Sequence, residues 1–166
     1  MNGTDELLQS VVEVARAIFG AAASSVFLLD GDELVFHACA GAGEEFLVGT
    51  RMPAGRGIAG WVLGSGQAVI VNDLAANRTF DRAFAESTEY VPDSLMAAPL
   101  VVGQEVLGVL EVLDPGVQSR SDLGDLDLLS LFANQAAIAL RVTRGVPVRD
   151  DAVLVDAFRS FLAAQG

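Results

Sequence analysis

The residues best suited to bind a small molecule are concentrated in the most polar internal stretch of the chain, positions 72–93. Asp73, Arg78 and Phe80 stand near its start, and Asp81 follows them. An arginine can hold a phosphate or carboxylate through two parallel hydrogen bonds, and an aromatic ring can stack on a flat ligand. The alternative is structural, with Arg78 paired to Asp73 or Asp81 at the surface and Phe80 anchoring the segment to the core. Both interpretations stay open at this point.

A further acidic candidate is Glu111, which interrupts an otherwise apolar run at 106–113. On a strand it shares a face with Leu107 and Val109, because alternate side chains point the same way. If that face lines a pocket, the carboxylate of Glu111 can accept hydrogen bonds from ligand N–H or O–H groups. If it does not, Glu111 is an edge residue that reaches water.

Catalytic and metal-binding chemistry has little support in the residue types. The single histidine, His37, and the single cysteine, Cys39, are two positions apart on one predicted strand, so we expect them on the same face. Two ligands fall short of the three or four that a zinc site needs. All ten basic residues are arginine, so no lysine is available for a Schiff base or a phosphate-binding loop. We therefore expect neither a metal nor a catalytic residue.

The segment 55–60 fits the pattern G-x-G-x-x-G, with Asp73 following at a suitable distance. A dinucleotide-binding fingerprint also needs a parallel strand that ends at the first glycine and a long helix after it. Pro53 interrupts the approach, and Gly64 ends the predicted helix after two turns. The dinucleotide interpretation is rejected, while a weaker one, an anion held at this helix start beside Arg56, stays open.

Composition limits the class of protein. The 166 residues are 52% apolar and 19% charged, which predicts one domain with a large core. The net charge of -12 argues against a nucleic-acid-binding face, because phosphate neutralisation needs clustered basic residues. The apolar runs are far shorter than the roughly 20 residues of a bilayer-spanning helix. We expect a soluble, cytoplasmic domain that contacts neither nucleic acid nor membrane.

Periodicity predicts the elements that must position these residues. Two strand pairs are expected as antiparallel hairpins, and the continuous apolar character of the second pair predicts a sheet that is covered on both faces. The last long helix carries two apolar stripes, one for the sheet and one for a partner. The predicted elements are a helix at about 5–19, strands at 25–29 and 34–40, a helix at 57–63, a strand at 68–71, strands at 95–102 and 106–113, and helices at about 121–143 and 151–164.

This order of elements, together with five segments, resembles the GAF domain family of small-molecule sensing modules. The segments are GIAGWV at 57–62, VIVND at 69–73, SLMAAPL at 94–100, VLGVLEV at 106–112 and LLSLFANQAAIA at 128–139. The resemblance implies an α+β fold, with a twisted, mainly antiparallel sheet. It places the terminal helices on one face of that sheet, and short helices and a lid over a pocket on the other. Residues 1–145 form the implied GAF domain, and 146–166 a linker and C-terminal helix.

The resemblance also implies a function, a non-catalytic sensor that binds a small molecule under the lid and forms a homodimer through its terminal helices. The segment after Pro147 is too short for an output module, so we expect an output protein in trans or an excised domain. The alternative is a pocketless dimerisation module. With the pocket under the lid, the candidate ligand-binding residues are Trp61, Asp73, Arg78, Phe80, Phe84, Tyr90, Ser94, Met96, Ala98 and Glu111.

The ligand itself is not identified by the resemblance, but some classes are disfavoured. Haem-binding and bilin-attaching members place their histidine or cysteine near the lid, and neither residue type occurs at 72–93. The Asn-Lys-Phe-Asp-Glu motif of many cyclic-nucleotide-binding members is absent, which disfavours a cyclic nucleotide. A free methionine sulfoxide reductase, the enzymatic alternative, needs several cysteines beneath the lid, where this chain has none.

Overall fold

A computed structural model of the chain describes residues 3–42, 48–87, 91–116 and 124–144, together with Arg159 and Ala163. Its centre is a six-stranded, wholly antiparallel sheet with strand order β3-β2-β1-β6-β5-β4. The strands are β1 Ala23–Asp30, β2 Glu33–Gly41, β3 Arg51–Pro53, β4 Val69–Val71, β5 Leu95–Val102 and β6 Glu105–Leu113. The first and last hairpins predicted from the sequence are confirmed, and β3 is an edge strand that was not predicted.

Helices α1 (Gly3–Phe19) and α4 (Asp125–Thr143) cover one face of the sheet. In α1 the buried side chains recur every three or four residues, as in Leu8, Val11 and Ala15, while Asp5 and Glu6 occupy the first turn, where acids favour the helix dipole. In α4 the buried stripe is Leu129, Ala133, Ala136, Ala137 and Leu140. The two helices and this face of the sheet form one hydrophobic core.

The opposite face of the sheet is covered by α2 (Gly57–Ser65), a 3₁₀ turn (Leu74–Ala76) and α3 (Arg82–Ser87). Helix α2 runs through Ser65, two residues beyond the predicted end, and stops where Gly66 adopts a left-handed conformation with φ 69° and donates its N–H to the carbonyl of Val62. Ile58, Ala59 and Val62 pack on the sheet and form a second core with Leu74. The predicted α+β architecture, with terminal helices on one face and short helices on the other, is confirmed.

A β-bulge breaks the regular alternation of β2. Val26 pairs with Ala38 and Phe27 with Phe36, so His37 is the extra residue. His37 therefore does not share a face with Cys39, which packs in the core under α2, and the prediction of a common face is wrong. Burial is the largest cause that lowers the pKa of His37. The charge of Arg144, which follows α4, lowers this pKa further, and the charge of Asp5 in α1 raises it. The bulge thus removes the one pairing of candidate metal ligands.

Several expectations lie outside the described residues. They include the start of the last long helix at 121–123 and most of the predicted helix at 151–164. Arg159 and Ala163 are both helical and exposed. The domain boundary at 145 stays a prediction. None of the described helices has both the length and the apolar character needed to cross a membrane.

Candidate functional site

A cavity lies between the sheet and the segment that the sequence analysis called a lid, residues 72–93. Its volume is about 70 Å³, well above the roughly 10–15 Å³ that a single water requires on the same measure. The lining comes from five strands (β1, β2, β3, β5 and β6), the start of α2 and the lid. It consists of Ser25, Phe27, Phe36, Met52, Gly57, Ile58, Ala59, Phe80, Asp81, Ala85, Pro92, Leu95, Glu111 and Leu113.

Strand register places Glu111 on the floor of this cavity. Along β6, Leu110 and Val112 belong to the core under the terminal helices, so the alternate residues Val109 and Glu111 point the other way. Ser25 of β1 lies directly opposite Glu111, and Cys39 of β2 lies directly opposite Ser25. Glu111 and Ser25 therefore form a polar part of the floor, and Cys39 continues this row on β2 outside the lining.

Glu111 is the acidic side chain most perturbed by this environment. The residue is only 9% exposed, and burial raises the pKa of its carboxyl from 4.5 to about 7. Among the described residues, no hydrogen bond reaches the carboxylate; the bond from Ser24 Oγ goes to the backbone carbonyl of Glu111, at 3.1 Å. A buried acid without a charged partner titrates near neutrality because water can no longer solvate its ionised form.

Aromatic and aliphatic side chains make the rest of the lining apolar. Phe27 and Phe36, adjacent across the bulge of β1 and β2, have ring centroids 4.0 Å apart and planes tilted by 54°. Phe80 approaches from the lid, where the Oδ1 atom of Asn77 accepts hydrogen bonds from the backbone N–H groups of Thr79 at 2.8 Å and Phe80 at 3.1 Å. This turn fixes the direction in which Phe80 enters the cavity.

An ion pair closes the wall between α2 and the lid. Arg56, which precedes α2, binds Asp81 through one edge of its guanidinium group, with Nε against Oδ2 and Nη2 donating to Oδ1 at 3.3 Å. Gly57 has φ 69°, and a Cβ atom there would lie 3.3 Å from Cβ of Asp81. The glycine therefore allows the lid to approach the start of α2 closely.

The return of the lid to the sheet is fixed by Asp114, a non-glycine residue with φ 49°. Its Oδ1 atom accepts hydrogen bonds from the backbone N–H groups of Asp93 at 2.9 Å and Ser94 at 3.0 Å. The N–H of Asp114 in turn bonds the carbonyl of Ser94, and the N–H of Leu74 bonds the carbonyl of Asp93. The C-terminal end of the lid is thus tied to Asp114 after β6, and its start is tied to that end through Leu74.

Comparison with known families decides what kind of domain this is. The family model described as "GAF domain" matches residues 3–140, which is most of the chain. The chain belongs to the GAF domain family. It is accordingly a regulatory or sensor module by class, since GAF domains are generally regulatory and non-catalytic.

Similar proteins support the same fold. This GAF domain is 32% identical over 90 residues to the mouse cone cGMP-specific 3',5'-cyclic phosphodiesterase subunit alpha', covering 54% of this chain and 10% of that subunit. It thus spans about a tenth of that relative's length. Among solved structures, it resembles the GAF domain of a Coxiella burnetii phosphoenolpyruvate-protein phosphotransferase, with a TM-score of 0.72, 19% identity and 87% of each chain covered. It also resembles the Neisseria meningitidis free methionine-R-sulfoxide reductase in complex with its substrate, with a TM-score of 0.69, 24% identity, and 87% of this chain and 81% of that one covered.

Of the ten candidate residues in this GAF domain, the structure brings Phe80 and Glu111 together at the cavity. Asp73 and Arg78 are exposed and lie outside the lining, and no ion pair to Arg78 is found within the described part of the chain. Trp61 is 44% exposed and borders a separate cavity with Asn77 and Thr79. Tyr90 and the side chain of Phe84 lie outside the described structure.

Met96 and Ala98 require a correction, because both pack in the core beneath the terminal helices. Their neighbours Leu95 and Ala97 lie on the cavity side of the sheet instead. The prediction therefore assigned the wrong set of alternate β5 residues to the cavity face. Ser94 contributes its backbone to Asp114, as described above, and is not part of the lining.

The sequence analysis missed most of the lining, including Ser25, Phe27 and Phe36 on the first hairpin. Ser25 could be found only from the pairing of β1 with β6, which places it opposite Glu111. The structural alternative paired Asp81 with Arg78, whereas the structure pairs it with Arg56. Nothing local in the sequence distinguishes these two arginines.

Proposed function

We propose that this GAF domain is a non-catalytic sensor that binds a small molecule in the cavity between sheet and lid. The observation that carries the proposal is a buried carboxylate, Glu111, facing a mostly apolar cavity under the lid. An apolar pocket with a few convergent polar groups and a perturbed pKa is the usual form of a ligand site. In a module that only packs, a buried acid without a charged partner would lower the free energy of unfolding.

The signal in this proposal is a shift between lid conformations. A ligand that prefers the closed lid by about 1–3 kcal/mol changes the populations of two states. The floor strands β1 and β6 carry cavity residues on one face and contact α1 through the other, while β5, which also lines the cavity, contacts α4. A change at the floor can therefore reach the terminal helices and, through them, an output partner in trans.

The terminal helices are also the proposed dimer interface, with a second copy of this chain as the occupant. Both present large apolar side chains to solvent, on one stripe of each helix: Val14 and Ile18 on α1, and Leu131, Ile138 and Val142 on α4. The helices contact each other, and a Cβ on Gly3 would lie 3.5 Å from Thr143 Cγ2, so they run antiparallel. This is the second apolar stripe that the sequence left without a partner.

A matched pair of alanine variants tests the cavity. Ala85 lines it and Ala83, on the same short helix α3, is exposed. Ala85→Leu should fill the space that the ligand needs, whereas Ala83→Leu should leave it open. In a thermal-shift panel of small metabolites, a ligand at about 100 times its Kd adds about 2.7 kcal/mol. The proposal requires a compound that raises Tm for the wild type and Ala83→Leu but not for Ala85→Leu.

The other candidate functions give different results in the same panel. A pocketless dimerisation module shows no compound-dependent Tm in any of the three proteins. A methionine sulfoxide reductase would turn over free methionine sulfoxide and lose that activity on Cys39→Ser. Cys39 is buried, lies outside the cavity lining and contacts Ser25 Oγ at 3.7 Å, an environment that does not favour a reactive thiolate.

Dimerisation is tested separately by sedimentation. Ile138→Asp places a charge in the proposed interface, and Ile70→Asp is the matched control, because Ile70 is an exposed isoleucine on the edge strand β4. We expect the wild type and Ile70→Asp to sediment as dimers and Ile138→Asp as a monomer. A wild-type monomer, or equal behaviour of the two variants, would contradict the interface.

A further inference from the structure

Charge distribution around the cavity limits the chemical class of its ligand. The ionisable groups that face it are Glu111 from β6 and Asp81 from the lid, while the thiol of Cys39 contacts Ser25 but lies outside the lining. The nearest described cation, Arg56, binds Asp81. None of the described lining residues is basic, so an anion would meet two acids and no available positive partner.

We propose that the ligand of this cavity is a small organic cation, an ammonium or amidinium group on an apolar body, whose charged group binds the carboxylate of Glu111 beside the hydroxyl of Ser25. This inference rests on the proposed function, since it names the class of ligand for the same site. It goes beyond a pocket of unspecified content, because it predicts charge, size and the polar contact that anchors the molecule.

The apolar part of the lining suits the body of such a cation. Phe27, Phe36 and Phe80 place three aromatic rings around the cavity, and the faces of aromatic rings attract cations as well as apolar groups. The volume of about 70 Å³ restricts the site to a small molecule. A cation also suits a chain whose net charge is -12, because the overall field attracts it.

Ion pairing would link binding to the release of a proton. Burial raises the pKa of Glu111 to about 7 in the unliganded protein, whereas a bound cation stabilises the ionised carboxylate. Below neutral pH the ligand must displace a proton, so its apparent affinity should increase as pH rises. From about pH 5 to about pH 8 the ionised fraction rises by roughly 100-fold, and the Kd of a permanently charged ligand should fall by a similar factor.

The test compares three probes of one shape on defined variants. Benzamidinium is the cation, benzamide its neutral counterpart and benzoate the anion, and ligand-observed NMR and calorimetry measure their binding. We expect benzamidinium alone to bind the wild type, with loss of binding in Glu111→Gln. The matched control Glu105→Gln, an exposed glutamate on the same strand, should bind as the wild type does. Circular dichroism verifies that each variant is folded.

Each remaining outcome has a definite meaning. Binding of benzoate or benzamide to the cavity, but not of benzamidinium, overturns the cation and leaves the proposed sensor function intact. Equal binding of benzamidinium to wild type and Glu111→Gln also overturns it. If no probe binds, the cation inference is refuted. The proposed function fails as well only if the metabolite panel contains no compound that raises Tm for the wild type but not for Ala85→Leu. Calorimetry in two buffers of different ionisation enthalpy should show proton release below pH 7, and its absence contradicts the ion pair.

Discussion

Replacing Glu111 with glutamine should make this protein more stable at alkaline pH and leave its stability in acid little changed. The glutamate carboxyl is buried at the cavity floor, and among the described residues no hydrogen bond reaches it. Its ionisation therefore opposes folding. Glutamine keeps the shape and polarity of the side chain but carries no charge at any pH, so it isolates the cost of the ionised form.

The size of the effect follows from the pKa. Burial raises the pKa of Glu111 from its ordinary value of 4.5 to about 7. Between these values the folded chain holds a proton that the unfolded chain has lost, so the free energy of unfolding falls as pH rises through this window. At about 1.4 kcal/mol for each pKa unit the full effect is on the order of 3 kcal/mol. For a domain of this size that is roughly 6–12 °C in Tm.

The assay is urea denaturation of wild type and Glu111→Gln from about pH 4.5 to about pH 8, where the wild-type carboxyl is ionised only at the upper end. The readout is the difference between the free energies of unfolding of the two proteins, because the other titratable groups contribute equally to both and cancel. His37 is the main one to cancel, since its lowered pKa makes stability rise with pH at the acid end. Glu105→Gln, at an exposed site on the same strand, should show no pH-dependent difference. A constant difference between wild type and Glu111→Gln would refute the burial of an unpaired acid.

Three further results are expected. A double-mutant cycle of Arg56→Gln and Asp81→Asn, measured by urea denaturation, should give a coupling energy of about 1 kcal/mol. The coupling is small because the half-exposed arginine is screened by water. Additive effects of the two substitutions would mean that the pair does not hold the lid. Gly108→Ala should lower the free energy of unfolding by about 2–3 kcal/mol, since its Cβ would lie 2.0 Å from the carbonyl oxygen of Phe27. Gly64→Ala, on the open surface of α2, should raise it by about 0.5–1 kcal/mol. Equal effects of the two substitutions on Tm would contradict the close contact between β1 and β6. Arg78→Ala should leave the Tm shift of any cavity ligand unchanged, and a lost shift would return the lid arginine to the site.

The elements of this fold could be predicted because their signals are local. The apolar period of α1 and the left-handed Gly66 that ends α2 are both visible in a short window of sequence. Antiparallel pairing of β5 and β6 follows from the tight turn at 103–104 and two apolar runs. The family resemblance then supplied the arrangement of the two layers.

The site was harder to predict because it depends on which face each strand presents. Glu111 was left undecided between pocket and edge, and Met96 and Ala98 were placed on the wrong face. In β5 and β6 both faces are buried, so apolar and polar residues do not alternate along the strand. The sequence therefore does not indicate which residues point to the cavity. A single bulge in β2 separated His37 from Cys39, and no residue type in that strand announces it.

The measurement that tests the central claim most directly is a native mass spectrum of the protein after incubation with the small-molecule fraction of the cells that express it. Wild type and Ala83→Leu should retain an added mass that Ala85→Leu does not, and each subunit of the expected dimer should carry one. Identical, ligand-free spectra of all three proteins would contradict a binding cavity under the lid. An added mass that Ala85→Leu retains would place the ligand elsewhere on the domain.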